Sequence, residues 1–307
     1  MTKADGSVPL RTSPLPRILL LGAGGQLGSQ LKRSVPAAFT LYALNSTECD
    51  ITDAGQLSSL ITSLRPDVVI NAAAYTQVDK AEQEAARCQA VNADGIENLA
   101  RAVSGATRII HVSTDFVFDG GKNTPYEPGD PAAPLNVYGH SKRAGEEALL
   151  RLRPEHSTII RTAWLYSLHG QNFVTTMLRL MASKESLHVV ADQIGTPTST
   201  ASLAAVIWHF VDKPEAGGIF HWTDQGCASW YDFAWAIQRE GLRSGRLQNR
   251  IPLFPIRTAD YPTAARRPAY SVLDCHRTRE CLRIRGKHWQ EELQQVMGSE
   301  PILKIKS

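Results

Sequence analysis

Short apolar runs punctuate the first half of the chain, each closed by glycine or a polar residue. Residues 17–21 (RILLL), 40–44 (TLYAL), 66–71 (PDVVIN), 108–112 (RIIHV) and 157–161 (STIIR) have the length and continuity of strands covered on both faces. Helical patterning fills the gaps. It runs over 29–34 and stops before Pro36, over 54–64 behind the capping residue Asp53, and over 91–103 after the charged stretch 79–88. It returns from Tyr138 to about Arg151. This alternation predicts an α/β fold, a Rossmann-type doubly wound parallel sheet. Ligands of such sheets bind outside the carboxyl ends of the strands. The segments 22–28, 72–76 and 113–115, and Asn45, all fall at such ends, so the site is expected there.

Beyond Arg161 the pattern loosens. A helix is expected from 171–173 to about Lys184, a strand over 187–190, a polar loop over 192–198 and a helix over 202–211. A strand over 218–222, a helix over 229–241 and a Pro- and Arg-rich remainder follow. We therefore expect a dinucleotide-binding domain over 17–162, to which later segments can return. A smaller, discontinuous C-terminal substrate domain is expected mainly over 163–307. Residues 1–16 are polar, hold three prolines and read as a disordered leader.

Composition narrows the function. Among 307 residues the net charge is only +3 and the charges are dispersed, which excludes a nucleic-acid surface or a polybasic membrane patch. No run reaches the roughly 18 apolar residues of a membrane span, and the N-terminus lacks a signal-like apolar segment. Five cysteines with no zinc-ligand spacing suggest reduced thiols, a cytoplasmic location and no metal site.

Two stretches carry candidate chemistry. Gly22, Gly25 and Gly28 have the spacing of a phosphate-binding turn. The first glycine allows the tight turn, the second lets backbone approach a phosphate, and the third lets the helix pack closely. In NVYGHSK, Tyr138 and Lys142 stand four apart, on one face of a helix. An ammonium there is expected to lower the phenol pKa and prepare it for proton transfer. Small residues over 72–74 would let a flat ligand lie against the backbone.

Together the stretches LLLGAGGQLG, RPDVVINAAAYTQVDKAE, HVSTDFVF, PLNVYGHSK, RTAWLY, NFVTTMLRL, DQIGTPT and YPTAARRP resemble the extended short-chain dehydrogenase/reductases. Within them, they are similar to the dTDP-4-dehydrorhamnose reductase family. The resemblance implies reduction of the 4-keto group of a dTDP-6-deoxyhexose with NADPH or NADH. It implies Tyr138 as proton donor, Lys142 as its electrostatic partner and ribose ligand, and Thr114 as a hydroxyl on the keto oxygen. Cofactor positions would be Gly22, Gly25, Gln26, Leu27, Gly28, Asn45, Asp50, Ile51, Ala73, Ala74, Tyr75 and Thr76. Substrate positions would be Thr114, Asp115, Trp164 and Arg267, with Arg267 on the diphosphate. Trp164 also suits ordinary core, Asp115 a turn cap and Arg267 a surface. Tyr75 stands where the family often has His, and Phe116 where it often has Tyr.

The partner expected is a dTDP-sugar, with no nucleic acid and no membrane, and a homodimer is left open. Related 4-ketoreductases and epimerases of other sugar nucleotides share the catalytic set, so they remain alternatives. A binding scaffold such as a methionine adenosyltransferase regulatory subunit shares the fold but has no need of that set. At the end of the second strand stand Asn45, Ser46 and Thr47, where a strictly NAD-dependent enzyme usually has an acid. Use of both cofactors, with a modest preference for NADPH, is expected.

Overall fold

The computed structural model describes residues 15–299. The expected leader lies outside these residues except for Leu15 and Pro16. The Pro16 carbonyl accepts the Thr40 N–H at 2.9 Å, so the ordered pairing begins there.

Six parallel strands form the central sheet. They are β1 (Arg17–Leu21), β2 (Thr40–Leu44), β3 (Val68–Asn71), β4 (Arg108–Thr114), β5 (Ser157–Thr162) and a late strand, Gly218–His221. Their spatial order is Gly218–His221, β5, β4, β3, β1, β2. The apolar runs are continuous because alternate residues serve two cores. Ile18, Leu20, Ile70, Ile110 and Ile160 face one layer, while Leu19, Leu21, Val69, Ile109 and Ile159 face the other. Helices α1 (Gln26–Arg33) and Thr200–Val211 cover the first face through Leu27, Leu31, Leu203, Ile207 and Phe210. Helices α2 (Ala54–Leu64), α3 (Val78–Ala81), α4 (Ala85–Gln89), α5 (Gly95–Ala102) and α6 (Val137–Leu152) follow in the chain. Of these, α2, α5 and α6 cover the second face.

Several boundaries differ from the sequence reading, each for a local reason. Strand β4 runs two residues further, because Ser113 and Thr114 pair with Arg161 and Thr162 of β5. Helix α1 begins at Gln26 because Gly25 already serves as its N-cap. The helix expected over 91–103 is broken: a π-helical turn, Ala90–Asp94, joins α4 to α5. Such turns often mark functional positions. Helix Thr200–Val211 and strand Gly218–His221 both return to the central sheet, so the chain beyond Thr162 serves two layers of structure.

The smaller lobe is built around α7 (Phe173–Ser183), the helix Trp230–Arg243 and the helix Trp289–Gly298. Tyr166, Met177, Phe233, Ile237, Trp289 and Leu293 form its core. The stretch expected to be a polar loop, 192–198, contains two short strands. Ile194–Gly195 pairs antiparallel with Ala228–Ser229, and Thr198–Ser199 pairs parallel with Leu165–Tyr166. All five cysteines are free. Among the described residues no helix is long and apolar enough to cross a membrane, and no cluster has metal-ligand character.

Candidate active site

A cleft of about 650 Å³ opens at the carboxyl ends of the strands, between the sheet and the smaller lobe. Its floor is the turn from β1 into α1. Gly22 has φ +81°, and a side chain there would run into the Ala73 backbone. A side chain at Gly28 would overlap the Gly22 carbonyl and come within 2.6 Å of the Ala23 Cα, so only glycine lets α1 sit on the turn. Gly25 is open outward: a Cβ there would meet only the Gly22 oxygen, at 3.5 Å. No side chain caps α1. Its first N–H groups and its positive dipole end therefore face the cleft, a fit for a pyrophosphate. The residues present suit a dinucleotide cofactor.

The segment 72–76 leaves β3 beside this turn. Asn92 fixes it from the π-helical turn, where its Oδ1 accepts the Tyr75 N–H at 2.9 Å and its Nδ2 donates to the Tyr75 carbonyl at 3.0 Å. Ala72, Ala74 and Thr76 line the cleft. The Tyr75 ring turns away and its hydroxyl donates to Glu84 at 2.9 Å. Gln26 lines the cleft but its amide reaches across it, donating to the Leu165 carbonyl at 3.2 Å and accepting from Asn172 at 3.3 Å. Asn45, Asp50 and Ile51 do not line the cleft. They lie around the end of β2, with Ile51 buried against Gly95 and Asp50 binding Thr52. Asn45 caps its own turn, where Oδ1 accepts the Thr47 N–H at 2.9 Å and the Thr47 hydroxyl at 2.7 Å. Glu48 folds back so that its carboxylate accepts the Asn45 N–H at 2.9 Å.

The opposite wall comes from β4 and α6. Asn136 caps α6 by accepting the Gly139 N–H at 2.8 Å. A side chain at Gly139 would collide with the Phe116 carbonyl, and one at Gly145 with the Asn92 carbonyl. Gly139 lets α6 press against the segment just past β4, and Gly145 seats it on the π-helical turn, which brings Tyr138 and Lys142 beside Thr114. Tyr138 is buried and packs edge-on against Phe116, with centroids 5.8 Å apart. Thr114 Oγ1 donates to Asp115 at 3.2 Å and accepts the Phe116 N–H at 3.2 Å.

The electrostatics correct one expectation. Lys142 does not bring the Tyr138 phenol toward neutrality. Burial pushes that phenol up, the Thr114 hydroxyl partly opposes this, and the Asp115 charge adds to it. The reason is geometric. The Lys142 ammonium reaches across to β4, donating to the Val112 carbonyl at 2.7 Å and lying 3.3 Å from His111 Nε2. Burial brings Lys142 itself down to about 8, against the pull of Glu146 and Cys88. Burial also raises Asp115 to about 6, with Ser271 and Thr114 opposing. Asp115 Oδ2, Ser113 Oγ and Thr162 Oγ1 are buried without a protein partner, as suits atoms that meet a polar ligand.

The smaller lobe closes the cleft. Trp164 is half-buried in its wall, not in the core, with a left-handed φ of +46°. It stacks on Trp230 with centroids 3.5 Å apart and an interplanar angle of 6°. Backbone strain of this kind in a bulky residue is usual at ligand sites. Arg267 also reaches the cleft, but its guanidinium is paired with Asp79. The sequence reading missed Trp230, Phe173 and Asn136. Asn136 alone left a signal, as a capping residue one turn before Gly139, and its Nδ2 also anchors the Arg266 carbonyl at 2.8 Å.

Comparison with known proteins gives a consistent result. Residues 16–300 match the family described as the RmlD substrate binding domain. A dTDP-4-dehydrorhamnose reductase of Aggregatibacter actinomycetemcomitans is 45% identical over 289 residues, covering 91% of this chain and 98% of that protein. The spore coat polysaccharide biosynthesis protein SpsK of Bacillus subtilis is 40% identical, covering 92% of this chain and 96% of the relative. The crystal structure of a Bacillus anthracis dTDP-4-dehydrorhamnose reductase in complex with NADP superposes with a TM-score of 0.87. It is 34% identical and covers 93% of this chain and 99% of that one.

Proposed function

The chain belongs to the RmlD substrate binding domain family, and from that premise we propose that it is an NAD(P)H-dependent reductase that converts dTDP-4-dehydro-L-rhamnose to dTDP-L-rhamnose. The observation that supports this most directly is the convergence of Thr114, Tyr138 and Lys142 in one cleft with the open glycine turn of α1.

Each residue has a role that its surroundings suit. The turn 22–28 and the N-terminus of α1 bind the cofactor pyrophosphate. Bound in the cleft, the nicotinamide would supply the hydride for the keto carbon. Tyr138 holds its proton firmly because it is buried. It is therefore fully protonated at neutral pH and can give that proton to the developing alkoxide. Thr114 donates a second hydrogen bond to the same oxygen once it turns from Asp115, an interaction that strengthens as charge develops. Lys142, at the base of the cleft, is in reach of a cofactor ribose. Asp115 Oδ2 accepts from a sugar hydroxyl.

The test is direct. The purified protein is incubated with NADPH and enzymatically made dTDP-4-dehydro-L-rhamnose, and the product sugar is identified. dTDP-L-rhamnose is expected. Cofactor oxidation that yields a different sugar would move the protein to another ketoreductase, and no oxidation would end the reading.

A further inference from the structure

Asn71 and His111 are side-by-side partners on β3 and β4, both fully buried and both outside the set of residues assigned above. Asn71 Nδ2 lies 3.0 Å from His111 Nδ1, and His111 Nε2 lies 3.3 Å from Lys142 Nζ. The orientation of the Asn71 amide is fixed independently by Ala73. The Ala73 N–H donates to Asn71 Oδ1 at 3.3 Å, and Asn71 Nδ2 is 3.4 Å from the Ala73 carbonyl. Reversing the amide would set donor against donor and acceptor against acceptor. Asn71 therefore presents N–H to His111 Nδ1, which must carry a lone pair.

His111 is neutral, since burial drives its pKa well below the usual value. A neutral imidazole that accepts at Nδ1 carries its proton on Nε2. That N–H points at Lys142. An ammonium has no lone pair to receive it, whereas a neutral amine accepts it and still donates to the Val112 carbonyl.

We propose that His111, oriented by Asn71, is a positioning residue for Lys142: its Nε2–H holds the amine in place and weakens the hold of Lys142 on its third proton, which the free enzyme can pass to solvent through the cleft. This rests on the reading of Lys142 as part of the reductase site. The other groups facing Lys142 are Glu146 on its own helix, Cys88 on α4 and Tyr138 one turn back. Glu146 favours the ammonium, but its carboxylate is already clamped by Arg161, at 2.6 and 2.9 Å. Cys88 also favours the ammonium, but less than Glu146 does, and burial raises its own thiol pKa. Burial draws Lys142 down to about 8, in the same direction as the His111 donor.

The experiment reads the free protein and needs neither substrate nor turnover, so it succeeds or fails separately from the reductase assignment. Nitrogen-15 correlation spectra report the tautomer of each histidine, and the His111 signal is identified by its loss in His111→Gln. The neutral Nε2–H form is expected across neutral pH, and an Nδ1–H form or an imidazolium overturns the proposal. Carbon-13 signals of labelled lysine then give the Lys142 titration, assigned by its loss in Lys142→Met. His111→Gln keeps an N–H near the same place and should titrate like the wild type. His111→Met removes the donor and should move the midpoint up by about one pH unit, a tenfold gain in proton affinity. An unmoved midpoint in His111→Met, or an equal shift in both variants, also overturns it. If His111→Met does not fold, the wild-type tautomer decides alone.

Discussion

Arg267 holds Asp79 with both arms of its guanidinium, Nη2 at 2.6 Å from Oδ2 and Nη1 at 3.0 Å from Oδ1. Asp79 lies on α3, just past the segment 72–76 on the cofactor side. It also accepts the Ala265 N–H at 3.1 Å, and the Arg267 contact keeps its carboxyl below the usual range. The pair thus ties the strap that carries Arg267 to the cofactor wall. A substrate diphosphate offers the same two-pronged acceptor as the carboxylate and would compete for it. Arg267→Ala is expected to raise KM for the sugar nucleotide at least tenfold, from a lost contact of about 1.5–3 kcal/mol, and to leave the cofactor KM nearly unchanged. Asp79→Asn frees the guanidinium and should not raise that KM. An unchanged sugar-nucleotide KM in Arg267→Ala, with only a lower melting temperature, would make the pair a structural clasp.

Tyr138→Phe removes the transferable proton and keeps the ring that packs on Phe116. Turnover should fall by about 10²–10⁴-fold, the usual worth of general acid catalysis. Cofactor binding, followed by titration of NADPH fluorescence, should change little, because the glycine turn is untouched. Turnover within a few-fold of wild type would remove Tyr138 as the donor.

How much of this was legible beforehand depended on whether the cause was local. Strands β1–β5 show in the sequence because their residues alternate between two buried faces, leaving uninterrupted apolar runs. The glycines at 22, 25 and 28 show because their spacing reflects one tight turn. The direction of the Lys142 side chain does not show. Helical spacing places it on the same face as Tyr138, but its reach to the Val112 carbonyl depends on how closely α6 approaches β4. That approach is permitted by Gly139 against Phe116 just past β4, while Gly145 seats α6 on Asn92 of the π-helical turn, contacts between remote parts of the chain. The return of Thr200–Val211 to the sheet was partly legible. Leu203, Ala204, Val206, Ile207, Phe210 and Val211 leave it apolar around most of its circumference, the mark of a helix buried in a large core. Trp230 carried no signal, because its partner Trp164 lies far away in sequence and in another element.

Asp224 supplies a prediction about pH. One of its oxygens accepts the Ser199 N–H at 2.9 Å and the other is buried without a partner. Burial raises its pKa to about 7, the Glu292 charge adds to the rise, and Ser202, Ser199 and Lys287 oppose it. The folded protein therefore keeps a proton that the unfolded chain has released between about pH 4 and 7. In that window stability falls as pH rises. At about 1.4 kcal/mol per pH unit, the cost above pH 7 has an upper bound on the order of 4 kcal/mol. Asp224→Asn keeps an acceptor for Ser199 but cannot ionise. Its melting temperature relative to wild type should rise from about pH 4 to 7 and level off above that. Asp115 is present in both proteins and cancels from the comparison. A difference that stays constant with pH would show that the Asp224 carboxyl ionises freely in the folded state.

Cofactor choice turns on Glu48 as much as on Asn45. In dinucleotide-binding folds an acid about 20 residues past the glycines commonly meets the adenine ribose, and its charge repels a 2′-phosphate. The residues directly after β2 are neutral, which removes that repulsion if they are considered alone. The structure restores part of it, because the Glu48 carboxylate returns to the strand end and accepts the Asn45 N–H. Meanwhile Asn45 spends its oxygen on Thr47, leaving its Nδ2 as the group able to donate to a ribose hydroxyl or a phosphate. A neutral donor and a solvent-exposed acid thus act in opposite directions. We expect both cofactors to be used, with kcat/KM favouring NADPH by about tenfold or less, or ~1.4 kcal/mol. Glu48→Gln removes the charge and should move the ratio a few-fold further toward NADPH. That shift should shrink as salt is added, because an exposed charge is screened. Asn45→Asp places a second carboxylate at the strand end and should swing the ratio toward NADH. A hundredfold bias in the wild type would defeat the expectation of dual use. If Glu48→Gln and Asn45→Asp both leave the ratio where it was, the ribose does not sit at the end of β2 and the choice is made elsewhere.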